Sequence, residues 1–246
     1  MTELLYLMDS YVRSFEAVVT EAIGQSVVLD KTAFYYLGGG QPSDRGTLVA
    51  GDKMLRVSKV MKRGPRIVHI IDGEPPAPGT PIKGELDWEY RYEKMKLHTA
   101  LHVLCGLLFR NYKRYGAEEP VMVSSVDIYE DTPEARIDFT LATLTKDLAT
   151  LIIEDANEII HKGGPVNIHF ISREEAEKDP ELTRLINLTS PIPKSVTEVR
   201  TVEIEGLDTQ FDGGTHVKAL QEIGGIKLVK AENKGKGRKR LKITLS

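Results

Sequence analysis

Two short segments more than a hundred residues apart, His98-Thr-Ala-Leu-His102 and Asp212-Gly-Gly-Thr-His216, constrain this chain more than any other feature. In a helix over residues 91–113 the i,i+4 spacing stacks both imidazoles on one face, where they could grip one divalent ion. The glycines of the second segment disfavour regular helix, so it reads as a tight loop that delivers a carboxylate and an imidazole. A fold that uses both must bring a helix face against a distant loop. Three imidazoles and a carboxylate, His98, His102, Asp212 and His216, suit zinc, one ion per chain. A lone HxxxH on an apolar helix is more often a pair of ordinary core histidines, and the second, matching half-site is what argues for an ion. The HExxH protease motif is a poor match, because Thr99 stands where that motif places its glutamate.

The hydrophobic period changes near residue 88. Residues 14–86 alternate β-rich runs such as SVVLD, TLVAG, MLRVSKVM and RIVHIID with Gly and Pro turns. From Glu89, Leu97, Leu101, Leu104 and Leu108 fall at helical spacing, and Leu144–Lys162 gives a second amphipathic helix. Strand-like VMVSSVDIY, ARIDFTL, VNIHFIS and TEVRTVEIE follow, and Ser172 with Glu175 reads as a capping box opening a further helix. The expected fold is α+β: a small N-terminal β-barrel over 1–88, then an α+β sandwich of helices on an antiparallel sheet over 89–246.

A length of 246 residues suits one large or two modest domains. Cys105, the only cysteine, excludes an intramolecular disulfide. It lies to one side of the histidine pair and reads as a small buried apolar residue. Asp9, Arg13 and Glu16 interrupt the apolar N-terminal stretch, and no window of about 18 apolar residues occurs elsewhere, so a soluble cytoplasmic protein with no membrane partner is expected. A net charge of −3 does not advertise nucleic-acid binding. Residues 227–242, however, hold eight basic residues against Glu232 alone, with glycines at 235 and 237 expected to keep part of the run flexible. Such a run either tracks phosphates or is a solvated strand end. Gly38, Gly39 and Gly40 lack the spacing of a P-loop or dinucleotide fingerprint; they make a tight bend that also lets backbone approach a ligand closely.

Three further stretches, Thr32-Ala-Phe-Tyr-Tyr-Leu-Gly-Gly-Gly-Gln-Pro-Ser-Asp-Arg-Gly46, Asp87-Trp-Glu-Tyr-Arg91 and Lys234-Gly-Lys-Gly-Arg238, join the two half-sites in a pattern that covers most of the chain. It resembles the editing domain of alanyl-tRNA synthetase and its free-standing relatives, the AlaX proteins, in their medium-length form. The resemblance implies a trans-editing hydrolase, an aminoacyl-tRNA deacylase that removes serine or glycine from tRNA(Ala) at a zinc-dependent site. It also implies tRNA(Ala) as the partner of the basic run. By the same resemblance the glycine-rich loop lies against the editing pocket, which makes Thr32 and Gln41 candidates for the catalytic, hydroxyl-reading positions. Gly38, Gly39, Gly40 and Thr215 become candidate substrate contacts.

One departure bears on the chemistry. The family's second half-site carries Cys-x-x-x-His, and Asp212 stands at the cysteine position. A carboxylate binds zinc at about the same length as an imidazole, but as a harder donor it lowers selectivity for zinc over other first-row ions. This opens a second reading, a catalytically impaired relative that keeps only tRNA binding beside a weakened metal site. Four protein ligands also close a tetrahedron, so a catalytic ion there would need a fifth ligand or a labile member. Oligomeric state is left open by the sequence.

Overall fold

In Ser14–Ala22, Phe15, Ala17 and Val19 are buried while the residues on either side of each face outward, the period-two pattern of a half-buried strand. The computed structural model describes residues 2–179, 182, 197–235 and 237–246, and the chain divides into two units, Met1–Met95 and Lys96–Ser246. The first unit contains β1 (Glu3–Leu4), β2 (Ser14–Ala22), β3 (Ser26–Leu29), β4 (Lys31–Thr32), β5 (Gly46–Ala50), β6 (Lys53–Arg63), β7 (Arg66–Ile71) and β8 (Pro81–Leu86). Six of them close an antiparallel barrel in the order β2-β3-β7-β6-β5-β8, and β1 pairs with β4 in parallel. Phe15, Val19, Leu29, Phe34, Leu48 and Val57 belong to its core. Closure depends on Gly84, which faces Phe15 across β2 and β8; a Cβ there would lie 2.4 Å from the Phe15 ring.

Within this unit two of the motif stretches exchange charges. The fully buried Arg91 donates through Nε to both Asp44 oxygens at 2.9 Å, and its remaining nitrogens reach the Ser10 and Ala33 carbonyls at 2.9 and 2.5 Å. Asp44 also accepts from the Tyr35 amide at 2.6 Å. Conversely Arg45 pairs with Asp87 at 3.1 Å and stacks 4.0 Å over the Tyr90 ring. Acid and base are thus crossed between the two stretches. Neither Arg91 nor Asp44 could be buried without the other, because an uncompensated charge in the interior is strongly destabilising.

The expected helix over 91–113 begins and ends three residues earlier, as α1 (Trp88–Arg110). Asp87 is the cause: its side chain accepts from the Tyr90 amide at 3.2 Å, which satisfies one of the orphan donors of the first turn. Beyond Arg110 the chain tightens into a 3-10 turn at Tyr112–Tyr115, closed by Gly116 at φ 76°.

In the second unit the helically spaced Leu97, Leu101, Leu104 and Leu108 are all buried. The expected strands form β9 (Val123–Ile128), β10 (Glu134–Thr140), β11 (Val166–Ser172) and β12 (Glu198–Ile204). They are joined by β13 (Asp208–Phe211), β14 (Ile226–Asn233) and β15 (Arg238–Leu245) in two antiparallel sheets, β14-β15-β10-β9 and β11-β12-β13. The second helix, α2 (Lys146–Lys162), starts after Thr145, whose hydroxyl caps the Leu148 amide at 3.1 Å. It is tied to β14 by Asn157, whose amide exchanges two hydrogen bonds with Ile226 at 2.8 and 2.9 Å. The Ser172–Glu175 capping box is present at the start of α3 (Arg173–Lys178). The architecture is mixed α+β, with a barrel first and sheets with helices after it.

The basic run is not a flexible tail. Apart from Lys236, which lies outside the described residues, it forms the hairpin β14–β15, and β15 is also hydrogen-bonded along β10. Its charges are largely matched on the same sheet: Arg240 with Asp138 at 2.6 Å, Lys242 with Glu134 at 2.6 Å, and Lys230 and Lys234 with Glu232 at 2.9 and 3.5 Å. Lys239 is buried, and Lys227 and Arg238 remain exposed. Among the described residues no helix is long and apolar enough to cross a membrane.

Candidate metal centre

α1 presents His98 and His102 one turn apart, with ring centroids 5.3 Å from each other. The β12–β13 hairpin delivers the other half-site. Arg200 on β12 clamps the Asp212 backbone on both sides: its Nη1 donates to the Asp212 carbonyl at 2.5 Å, and the Asp212 amide donates to the Arg200 carbonyl at 3.3 Å. Asp212 Oδ1 then accepts from the Gly214 amide at 3.0 Å, which folds the loop back. Gly214 is fixed by space, since a Cβ on it would lie 2.2 Å from the His98 ring; Gly213 has open space around it.

Four side chains meet as a result. One ligand atom from each of His98, His102, Asp212 and His216 lies within 4.8 Å of all the others, and the three histidines are buried. Asp212 Oδ2 stands 2.5 Å from His216 Nε2, 3.7 Å from His98 Nε2 and 3.9 Å from His102 Nε2. A tetrahedral ion with bonds of about 2.0–2.2 Å needs donors roughly 3.2–3.6 Å apart. Small side-chain adjustments therefore suffice for an ion.

The outward ring nitrogens support the same fit. His102 Nδ1 lies 3.3 Å from the buried Asp208 Oδ2, and His216 Nδ1 lies 3.1 Å from the buried Thr99 hydroxyl. Both arrangements leave Nε2 aimed at the centre, as in metal-bound histidines whose far nitrogen is held by an outer partner. Thr99 also accepts from the Val217 amide at 3.3 Å, so one hydroxyl fixes both a ring and the loop behind it.

Protonation follows from burial and neighbours. Burial pushes His98 down to about 4 and, with the neighbouring His98, holds His216 well below the usual imidazole range. Both rings are therefore neutral near pH 7, the form that binds a metal. Burial opposes ionisation of Asp212, but His98, His216 and His102 together overcome it and hold the carboxyl well below its usual range. Burial likewise disfavours charged His102, yet the bond to Asp208 and the charges of Asp212 and Asp208 raise it overall, making it the more basic donor.

Sequence reasoning missed Asp208, Arg200 and the second duty of Thr99. A signal existed for the first: Asp208, Gln210 and Asp212 recur at period two, which places them on one face if the stretch is extended. Cys105 is half-buried instead of buried and lines a cavity of about 180 Å³ together with His98, His102 and Phe109. Thr215 is fully buried.

The other candidates lie in the first unit. Thr32 is fully buried; its hydroxyl stands 2.9 Å from His69 Nε2 and accepts from the Phe34 amide at 3.1 Å. His69 Nδ1 faces the Val27 carbonyl at 3.3 Å and must carry the ring proton, so the Thr32 hydroxyl donates to Nε2. Gly38 and Gln41 close the glycine bend by exchanging backbone bonds at 2.9 and 3.2 Å, Gly39 and Gly40 turn it at φ 59° and 80°, and Gln41 is fully buried. The bend therefore spends the Gly38 amide and carbonyl on itself.

Residues 4–90 match the family model described as tRNA synthetases class II (A), and residues 199–242 match that of the threonyl and alanyl tRNA synthetase second additional domain. The latter stretch contains Arg200, Asp208, Asp212 and His216. Over its full length the chain is 42% identical, across 249 residues, to the alanyl-tRNA editing protein AlaX-M of Saccharolobus solfataricus, and it covers 99% of that protein. It is 39% identical across 252 residues to the protein of the same name from Methanosarcina barkeri, again covering 99%. It also matches the alanine–tRNA ligase of Pyrobaculum neutrophilum at 37% identity over 94% of this chain, spanning 25% of that longer protein.

Proposed function

The chain belongs to the AlaX-type free-standing editing proteins, and from that premise we propose that it is an aminoacyl-tRNA deacylase. It edits alanyl-tRNA by hydrolysing the ester that joins serine, or glycine, to tRNA(Ala), and it does so with zinc. The task has a physical origin. A pocket built for alanine cannot strongly reject serine, which only adds a hydroxyl, nor exclude the smaller glycine by size, and a second hydrolytic site is the usual remedy.

The observation that carries this reading is the convergence of His98, His102, Asp212 and His216, with the outer ring nitrogens of His102 and His216 facing Asp208 at 3.3 Å and Thr99 at 3.1 Å. An ion held there would polarise the ester carbonyl or activate a water for attack on it. The chain's own residues do the rest. Asp208 and Thr99 hold two imidazoles in the tautomer that offers Nε2, and Arg200 keeps the Asp212 loop from drifting. Leu101, Cys105 and Phe109 provide low-polarity walls on one side, where electrostatic interactions are stronger than in water. Thr32 and Gln41 are assigned to recognition of the serine side chain, with Gly38, Gly39, Gly40 and Thr215 as further substrate contacts; the motif resemblance supports this assignment.

Metal analysis of the purified protein beside hydrolysis of Ser-, Gly- and Ala-tRNA(Ala) tests the proposal. About one zinc per chain, release of serine, sparing of alanine and loss of activity on chelation are expected. A zinc-loaded protein that binds tRNA(Ala) and cleaves none of the three esters would replace this reading with that of an impaired, tRNA-binding relative.

A further inference from the structure

The cavity beside the candidate metal centre combines an apolar wall with polar side chains. One wall is Leu101, Cys105 and Phe109, which extends the His98–His102 face of α1 by two turns; facing residues come from Val121–Val126, ending on the edge strand β9. Gln210 of β13 lines it as well. Ser124, Ser125 and Asp208 add polar groups, so an apolar wall and several polar side chains share the one cavity. A flat heterocycle with apolar faces and one polar edge suits a slot of about 180 Å³. The ester of an aminoacyl-tRNA sits on the terminal ribose, so the base of that same nucleoside lies one sugar away from the reacting carbonyl. The slot begins at His98 and His102.

Building on the deacylase reading, we propose that this slot seats the adenine of the 3′-terminal adenosine, its face against Phe109 and its amino edge towards Gln210. The polarity of Gln210 selects the base. Its Nε2 donates to Asp208 Oδ2 at 2.6 Å, so its Oε1 is the end presented as an acceptor. Adenine offers an exocyclic amino donor to such an acceptor, whereas guanine places a carbonyl oxygen at the same position. The same Asp208 oxygen faces His102 Nδ1, so the residue that reads the base shares a carboxylate with a metal ligand.

Cys105 makes the test direct, because it is the chain's one cysteine and lines the slot. Its alkylation by iodoacetamide should slow about tenfold in uncharged tRNA(Ala) at ten times the dissociation constant, since the open fraction is then about a tenth. The same tRNA trimmed of its terminal adenosine should not protect at matched occupancy, and millimolar adenosine should protect where guanosine does not. In Ser-tRNA hydrolysis, Phe109→Ala removes the stacking face and should raise KM about tenfold, with the effect on KM and not on kcat. Val126→Trp, at a half-buried position of the edge strand, should narrow the slot with the same kinetic result should Phe109→Ala fail to fold. Equal protection by intact and trimmed tRNA, or an unchanged KM in a folded variant, overturns the assignment while leaving the deacylase reading in place. Failure of that reading is seen separately, as absence of Ser-tRNA hydrolysis by the unmodified protein.

Discussion

Replacing Thr99 by valine keeps the shape of the side chain and deletes a single oxygen, which makes it a sharp probe of the metal centre. That oxygen has two partners in the interior, His216 Nδ1 at 3.1 Å and the Val217 amide at 3.3 Å. With Thr99 fully buried, no solvent can stand in for it. Leaving a buried donor unsatisfied costs about 1–3 kcal/mol, so two stranded donors amount to roughly 2–6 kcal/mol before relaxation. The two losses separate by assay. The Val217 bond belongs to the fold, and its loss appears as lower stability of metal-free protein in denaturant melts. The His216 bond orients a ligand, and loss of such an outer partner typically weakens metal binding about 10- to 100-fold. Zinc affinity by chelator competition should therefore fall by that factor in Thr99→Val and return in Thr99→Ser. An affinity within about twofold of the parent, in a folded Thr99→Val protein, would show that His216 needs no outer partner.

Four other outcomes are expected. Asp212→Cys should tighten zinc binding in the same competition assay, because thiolate is the softer donor; equal or weaker affinity would count against Asp212 as a ligand. Asp44→Asn strands the buried Arg91 and should cost about 3–5 kcal/mol, lowering the melting midpoint by about 10 °C. Thr32→Val should slow Ser-tRNA hydrolysis about five- to hundredfold while sparing Gly-tRNA, and an equal loss on both substrates would make Thr32 structural. Burial holds His69 at about 4, so the folded state resists a proton that the unfolded chain accepts near 6.5. The resulting stability is present above pH 6.5 and is lost as pH falls from there towards 4, by up to about 3 kcal/mol. Denaturant melts of His69→Gln should show a shallower fall over that interval; an unchanged slope would exclude His69 as its source.

Local chemistry made much of this structure legible in advance. Phe15, Ala17 and Val19 alternate, Leu97 to Leu108 recur at helical spacing, and Ser172 with Glu175 announces a helix start; each needs only neighbouring residues to be read. The four side chains that converge in the candidate metal centre were also visible, because each half-site is contiguous. What escaped depends on residues that meet only after folding. Thr99 and His216 are 117 positions apart, and nothing local to Thr99 distinguishes a hydroxyl that orients a histidine from one that bonds its own helix. The Asp44–Arg91 pairing is similar: both stretches stood out as motifs, yet their partnership spans 47 positions. The charge of the basic run was legible but its matching was not, since Asp138 and Glu134, which pair with it, sit on a strand a hundred residues earlier.

That hairpin has a consequence for how the protein meets a polyanion. Each cation that neutralises a phosphate releases condensed counterions, and the steepness with which affinity falls with salt counts those cations. Arg240, Lys242, Lys230 and Lys234 already face carboxylates at 2.6–3.5 Å, so only Lys227 and Arg238, among the described residues of the run, are exposed and unmatched. The seven described positive charges of the run thus behave as roughly two in the ion atmosphere, and their share of the salt dependence of tRNA held here would be small.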